Sequence, residues 1–301
     1  MLKSLPLILA ASIALSAAPP PCPLTHKLAV GDTFRYLADF YYADSSYATA
    51  IPQATNTRTA QGFPFLPNPD LGAPGQSVCI PGLAEAQRLK TRSETYSRAV
   101  AVTVTPHPEN ASPALVTFPG DQELTFATWI RANQAARYKD TAPQDIWVTA
   151  EPQLQEFCRK FSADHDNDPD QLTLRLEQRL GLPPGNGKTT FLRIRLPHPA
   201  AAGIFRPCAN PSPAVANCPA TPPDEKANPA HATWIYRQYY FAFSAPQPSL
   251  YPWTALGYTF DWAPAEPGAG EFHRVGESEF VIPQGAPIQV IDAVATADYC
   301  R

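Results

Sequence analysis

Two glutamates at alternate positions are the residues best suited to electrostatic or acid–base chemistry. Glu277 and Glu279 lie in a stretch, residues 276–282, whose Phe, Val and Ile are typical of a strand. Alternate residues of a strand point to the same face, so both carboxylates are expected on one surface. Asp261 with either glutamate would form a carboxylate pair of the kind that cleaves glycosidic bonds, and the separation of the carboxyl groups would decide this.

A dense group of aromatic residues between positions 234 and 262 is the second candidate site. Exposed aromatic rings form flat platforms for sugars and other ring-shaped ligands, whereas buried rings fill a core. Rings alternate with polar side chains near the end of this group, so at least one side is expected to be core. The predicted ligand-binding residues are Trp253, Tyr258, Asp261 and Trp262.

Two motifs that suggest known binding loops are incomplete. The Gly-rich segment 185–189 lacks the first glycine of a phosphate loop, where Leu182 stands, and it is interpreted as a turn. Residues 164–170 carry acids at alternate positions, as calcium loops do, but Pro169 replaces the required glycine. A solvated acidic loop that begins a helix is therefore favoured over a calcium site, and no metal ligand is predicted.

The N-terminus predicts export. Residues 1–18 combine positive Lys3, an apolar run over 5–15 and small residues, the three parts of a signal peptide. A cut after Ser16 is favoured, because a cut after Ala18 would leave a proline first. The rest, from residue 19 to 301, is expected to form a single compact domain that is secreted or periplasmic.

Six cysteines agree with the predicted export, because exported chains use even sets of cysteines as disulfides. Sequence alone leaves fifteen pairings open. Cys208–Cys218 is the easiest pair, because prolines bend the loop between and around them. By elimination we expect Cys158–Cys300 and Cys22–Cys79.

Composition excludes some partners. The net charge of −4 and pI of about 5.9, without basic runs, make nucleic acid a poor partner. No hydrophobic segment after the signal is long enough to span a membrane. Thirty-six prolines and fifteen glycines argue against a purely helical protein.

The elements that must position these residues are expected to form an α+β fold of mostly antiparallel strands, stabilised by disulfides. A central strand-helix-helix-strand segment is the clearest part: strand 146–149, two helices marked by apolar residues at helical spacing, and strand 191–196. The first helix follows Pro152, and Asp168 or Asp170 caps the second.

The N-terminal half is expected to be poorer in helix. Residues 27–42 read as a strand, and 43–82 as a long surface excursion held by Cys79. A short helix over 83–92 then precedes β-branched strands at 100–105 and 114–118.

Four segments together resemble a family of bacterial exported proteins of uncharacterised activity. They are LRLEQRLGLPP at 174–184, FRPC at 205–208, YPWTALGYTFDW at 251–262 and SEFV at 278–281. The match covers roughly residues 147–300. It implies export and a shared fold, and it assigns no catalytic residue.

A shorter resemblance suggests an enzyme. Residues 277–285 resemble the Glu-x-Glu strand and following turn of ADP-ribosyltransferases. The resemblance implies that Glu279 binds the nicotinamide ribose, that Glu277 orients the acceptor and that Arg35 is the NAD-binding arginine. The family's Ser-Thr-Ser strand has no counterpart, Thr189-Thr190 being the nearest.

The leading hypothesis is an extracytoplasmic binding protein that uses the 234–262 aromatic residues, without a cofactor, for an extracellular or cell-envelope ligand. The alternative is a transferase that uses NAD, with Glu279 as its catalytic glutamate. That alternative requires Arg35 and Glu279 to face one pocket from neighbouring strands.

Overall fold

The computed structural model describes residues 20–68, 70–104, 114–118, 122–244 and 250–301. The predicted signal peptide, residues 1–18, lies outside these ranges. The strands are β1 (Leu24–Lys27), β2 (Ser77–Ile80), β3 (Leu124–Ile130), β4 (Ile146–Ala150), β5 (Thr190–Leu196), β6 (Tyr258–Pro264), β7 (Phe272–Ile282) and β8 (Gln289–Ala295). The α-helices are α1 (Phe34–Tyr42), α2 (Ala50–Asn56), α3 (Leu83–Thr103), α4 (Gln153–Asp164), α5 (Pro169–Arg179), α6 (Pro199–Ala202), α7 (Pro229–Phe243) and α8 (Thr296–Tyr299).

A six-stranded antiparallel sheet is the centre of the molecule. Its strand order is β6-β7-β4-β3-β5-β8, and a separate two-stranded sheet joins β1 to β2. Thr149 of β4 lies in register with Ala127 of β3 on one side and with Glu279 of β7 on the other. The predicted α+β class, with its central strand, two helices and strand, is confirmed.

The pleat of this sheet separates two apolar layers. On one face, Phe126, Val148 and Phe280 belong to a core covered by loops and α6. On the other face, α4 and α5 pack over Trp129 and Phe191. Helix α7 lies beside them, and its Trp234 packs against Trp147 of β4 and Trp253 of the loop before β6.

The N-terminal segments differ from the predictions. Residues 27–42 do not form a strand: α1 begins after Thr33, whose side chain accepts a hydrogen bond from the Tyr36 N–H and caps the helix. Residues 43–82 are not a surface excursion, since all of α2 is buried. The Arg58 side chain, fully buried, joins this region to α3 through Glu85 at 2.9 Å.

Helix α3 is longer than predicted. It continues through Val100, whose β-branched neighbours had predicted a strand over 100–105. Tyr96, Ala99 and Val100 are buried against Phe260 and Trp262, so tertiary packing overrides the strand preference. Residues 114–118 form no strand either, although Leu115 is buried there.

All three predicted disulfides are confirmed. Cys22–Cys79, Cys158–Cys300 and Cys208–Cys218 have Cα separations of 5.7, 5.2 and 6.0 Å. Within the described ranges, no helix has the length and apolar character needed to cross a membrane.

Candidate ligand-binding cavity

A cavity of about 500 Å³ lies on the helix-covered face of the large sheet. Its floor includes Ala127, Thr149 and Glu279, which share one cross-strand row, and Trp129 and Trp147 at the next positions on β3 and β4. Ala127 of β3 contributes only a methyl group to this floor.

Helices and loops form the walls. Helix α7 contributes Gln238, Phe241 and Ala242, and the loop before β6 contributes Tyr251 and Trp253. Leu154 of α4 and residues 180–182, which follow α5, complete the lining. The cavity therefore borders on α4, α7 and the segment after α5.

A glycine brings the end of α5 close to β6. Gly181 has φ +64°, a conformation that L side chains rarely adopt, and a Cβ here would lie 3.2 Å from the Phe260 carbonyl oxygen. Leu180, Gly181 and Leu182 all line the cavity.

Three polar atoms on the cavity wall are buried without a hydrogen-bond partner in the described part of the chain. They are Thr149 Oγ1, Trp253 Nε1 and Glu279 Oε2. Buried polar atoms in folded proteins are nearly always paired, since leaving one unpaired costs about 1–3 kcal/mol. All three belong to residues that line the same aromatic cavity.

Glu279 is the acidic group of this wall. Its side chain is half-buried, its Oε2 is buried, and its backbone N–H donates to the Gly257 oxygen at 2.9 Å. Burial raises the pKa of the Glu279 carboxyl to about 8, because the ionised form loses hydration. At neutral pH the carboxyl is therefore mostly protonated and can both donate and accept a hydrogen bond.

Two cations lie at another part of the cavity. Lys188 Nζ donates to the Trp129 carbonyl oxygen, and the Arg131 guanidinium lies 4.2 Å from the centre of the Phe65 ring. Burial, together with the charge of Arg131, lowers the pKa of the Lys188 ammonium to about 8. Burial also lowers the pKa of Arg131.

A buried glutamate holds the turn that carries Lys188. Glu177 Oε1 accepts hydrogen bonds from the Gly185 N–H at 2.7 Å and from Asn186 Nδ2 at 3.0 Å. Asn186 Oδ1 in turn accepts from the Lys188 backbone N–H at 2.9 Å. The segment 185–189 therefore has no helix or strand, begins with a turn at 184–185, and brings Lys188 to the cavity.

Two predicted site carboxylates instead stabilise the fold. Asp261 is fully buried and accepts bonds from both terminal nitrogens of Arg175, at 2.9 and 2.6 Å. Glu277 accepts from Arg179 Nε at 2.7 Å and is also buried. Neither lines the cavity.

The predicted aromatic residues divide into two groups. Trp253 and Tyr258 line the cavity. Trp262 does not: it is 1% exposed, and its Nε1 donates to the carbonyl oxygens of Glu177 and Leu182. The Trp262 ring fills the core beside Tyr96.

Arg35 and Glu279 lie on a helix and a strand, and not on neighbouring strands as predicted. Arg35 lies exposed on α1, not on a strand, and it is not among the residues that line the cavity with Glu279. The acidic segment 164–170 provides the cap of α5: Asp168 accepts from the Asp170 and Gln171 N–H groups. Among the described residues, no group of three or more His, Cys, Asp or Glu side chains is placed to hold a metal ion.

Sequence reasoning did not identify Arg131, Lys188, Thr149 or Trp147 as site residues. Trp147 and Thr149 alternate on a strand that was predicted, so a shared face was open to inference. Nothing in the sequence indicates that this face lies next to Glu279. Lys188 belongs to a turn whose side chains are usually solvated.

Comparison of the chain with protein-family models, with curated proteins and with solved structures gives no match.

Proposed function

We propose that this chain is an extracytoplasmic binding protein that holds a small, ring-bearing molecule in the cavity over its large sheet. The observation that carries the proposal is the presence of three unpartnered buried polar atoms in one aromatic-lined cavity. The three disulfides support an oxidising compartment outside the cytoplasm.

The aromatic side chains and the polar atoms have different roles in this proposal. Trp147 and Trp253 meet edge to face with ring centres 6.2 Å apart, and they offer apolar surface to a flat ring. Thr149, Trp253 and Glu279 supply hydrogen bonds that orient the ring. Each bond formed to a buried, previously unpaired atom recovers part of its desolvation cost.

The neutral fluorophore N-phenyl-1-naphthylamine tests whether the cavity accepts aromatic rings. We expect the oxidised protein to bind it with enhanced fluorescence. We expect Ala127→Leu to weaken binding at least tenfold, because the larger side chain occupies the cavity floor.

The matched control is Ala84→Leu, the same change at an exposed position of α3. Thermal melts verify that both variants fold. Equal binding by wild type and a folded Ala127→Leu variant, or no binding by wild type, would contradict the proposal.

A further inference from the structure

We infer that the ligand carries an anionic group, a carboxylate or a phosphate, which Lys188 and Arg131 bind at one end of the cavity. This inference rests on the proposed binding function and specifies the chemical class of its ligand. It concerns cations that the binding proposal itself does not use.

The surroundings of these two cations carry the inference. Lys188 Nζ donates to a backbone carbonyl, and Arg131 lies against an aromatic ring. In the described part of the chain, neither forms an ion pair with a carboxylate. Two neighbouring cations in a partly enclosed site favour an anion that lies between them.

The two carboxylates that line the cavity, Asp145 and Glu279, do not pair with these cations. Asp145 Oδ2 accepts from Trp234 Nε1 at 2.8 Å, and its Oδ1 accepts from the Gln284 N–H at 3.0 Å. Glu279 lies two strands from β3, in the row of Ala127. Arg131 is four residues further along, about 13 Å at the usual strand rise. Glu279 and the cations therefore belong to opposite ends of the floor.

The local electrostatics agree with this assignment. Burial and the mutual repulsion of the two cations lower the pKa of Lys188, and a bound anion would offset both effects. Tyr138 and Tyr251 lie close enough to Arg131 to interact with its charge, and both line the cavity. Their hydroxyl groups add donors suited to an oxyanion.

The geometry also defines the shape of the ligand. The anionic group faces Lys188 and Arg131, the ring system lies over Trp129 and Trp147, and a neutral polar group reaches toward Glu279. An aromatic or alicyclic acid, or a phosphate ester of a ring alcohol, has this arrangement.

Two fluorophores that differ by one sulfonate provide the test. N-phenyl-1-naphthylamine is neutral, and 8-anilino-1-naphthalenesulfonate is the same ring system with an anionic group. We expect Lys188→Met and Arg131→Met each to weaken binding of the sulfonate about tenfold or more. Binding of the neutral probe should change less than twofold, which also shows that the variants fold.

Matched variants separate charge from packing. Lys188→Arg should retain most of the sulfonate binding, and Lys160→Met, at an exposed position of α4, should have no effect. If the neutral probe binds but both cation variants bind the sulfonate as wild type does, the inference is wrong and the binding proposal stands. If neither probe binds to the wild type, the binding proposal itself fails.

Displacement distinguishes the two kinds of anion. 1-Naphthoate and 1-naphthyl phosphate are titrated against the bound sulfonate probe, with 1-naphthol as the neutral control. Stronger displacement by one acid than by naphthol identifies carboxylate or phosphate as the preferred group. Displacement by naphthol as strong as by either acid would overturn the inference.

Discussion

Glu277 and Glu279 are identical residues on one strand, but their surroundings give the two carboxyl groups different roles. Glu277 is paired with Arg179, whereas Glu279 lines the cavity with an oxygen that no described residue bonds. Their spacing predicts a shared face, but it does not predict which carboxylate an arginine reaches. Only Glu279 is available for a ligand.

The first prediction concerns the pH dependence of stability. The Glu279 pKa is raised from 4.5 to about 8, so between these values the folded protein keeps a proton that the unfolded chain loses. Glu279 therefore contributes stability below pH 4.5, and this contribution is lost as pH rises through about 8. Between these pH values the Glu279 carboxyl lowers the free energy of unfolding by at most about 1.4 kcal/mol per pH unit, and Glu279→Gln should remove this contribution.

Urea denaturation at several pH values measures this effect. Glu156→Gln, the same change at an exposed position of α4, is the control and should follow the wild-type curve. Parallel curves for Glu279→Gln and wild type would show that the Glu279 carboxyl is solvated like an ordinary glutamate.

Among the elements, α5 has the closest connection between the fold and the site. It presents Arg175 to Asp261 and Arg179 to Glu277, and the loop after it forms one cavity wall. Gly276 of β7 makes the approach possible: a Cβ there would collide with Thr259 Oγ1 and with the Arg179 carbonyl oxygen. The backbone of β7 thus lies directly against the end of α5.

The second prediction tests this close approach. Gly276→Ala should destabilise the protein by about 1–3 kcal/mol, because either the helix or the strand must shift. Gly82→Ala is the control, since no atom lies within 4 Å of the added methyl and the residue has negative φ. Chemical denaturation measures both, and an equal stability of the two variants would contradict the close packing.

Elements with regular spacing could be predicted, and elements decided by distant contacts could not. The helical spacing of Leu172 and Leu176 predicts α5, and in the structure both side chains pack in the core beside the sheet. The end of α3 has β-branched residues, and only contact with Phe260 and Trp262 keeps it helical. The Arg175–Asp261 ion pair joins residues 86 positions apart, so sequence spacing could not show that Asp261 is unavailable to a ligand.

At the scale of the whole molecule, the disulfides join distant parts of the chain. Cys158–Cys300 links α4 to the C-terminal end across a separation of 142 residues, whereas Cys208–Cys218 closes a separation of 10. The loss of conformational entropy in the unfolded chain grows with the size of the closed loop. The long-range bridge is therefore expected to matter more for stability.

The third prediction follows from that difference. Replacing both Cys158 and Cys300 by Ala should cost about 5 kcal/mol, and the same change at Cys208 and Cys218 about 3 kcal/mol, in the chain-entropy model. Guanidinium denaturation of the two double variants measures the order. A larger loss from the short loop would contradict this explanation.

The most direct test of the binding cavity uses the tryptophans. The chain has five: Trp129, Trp147 and Trp253 line the cavity, whereas Trp234 and Trp262 do not. Indole N–H signals of ¹⁵N-tryptophan-labelled protein, assigned by single Trp→Phe variants, are followed during titration with N-phenyl-1-naphthylamine. The cavity predicts the largest shift for Trp253, whose Nε1 has no partner among the described residues, with Trp262 unmoved. A titration in which Trp234 or Trp262 moves most, or in which no indole signal moves, would contradict it.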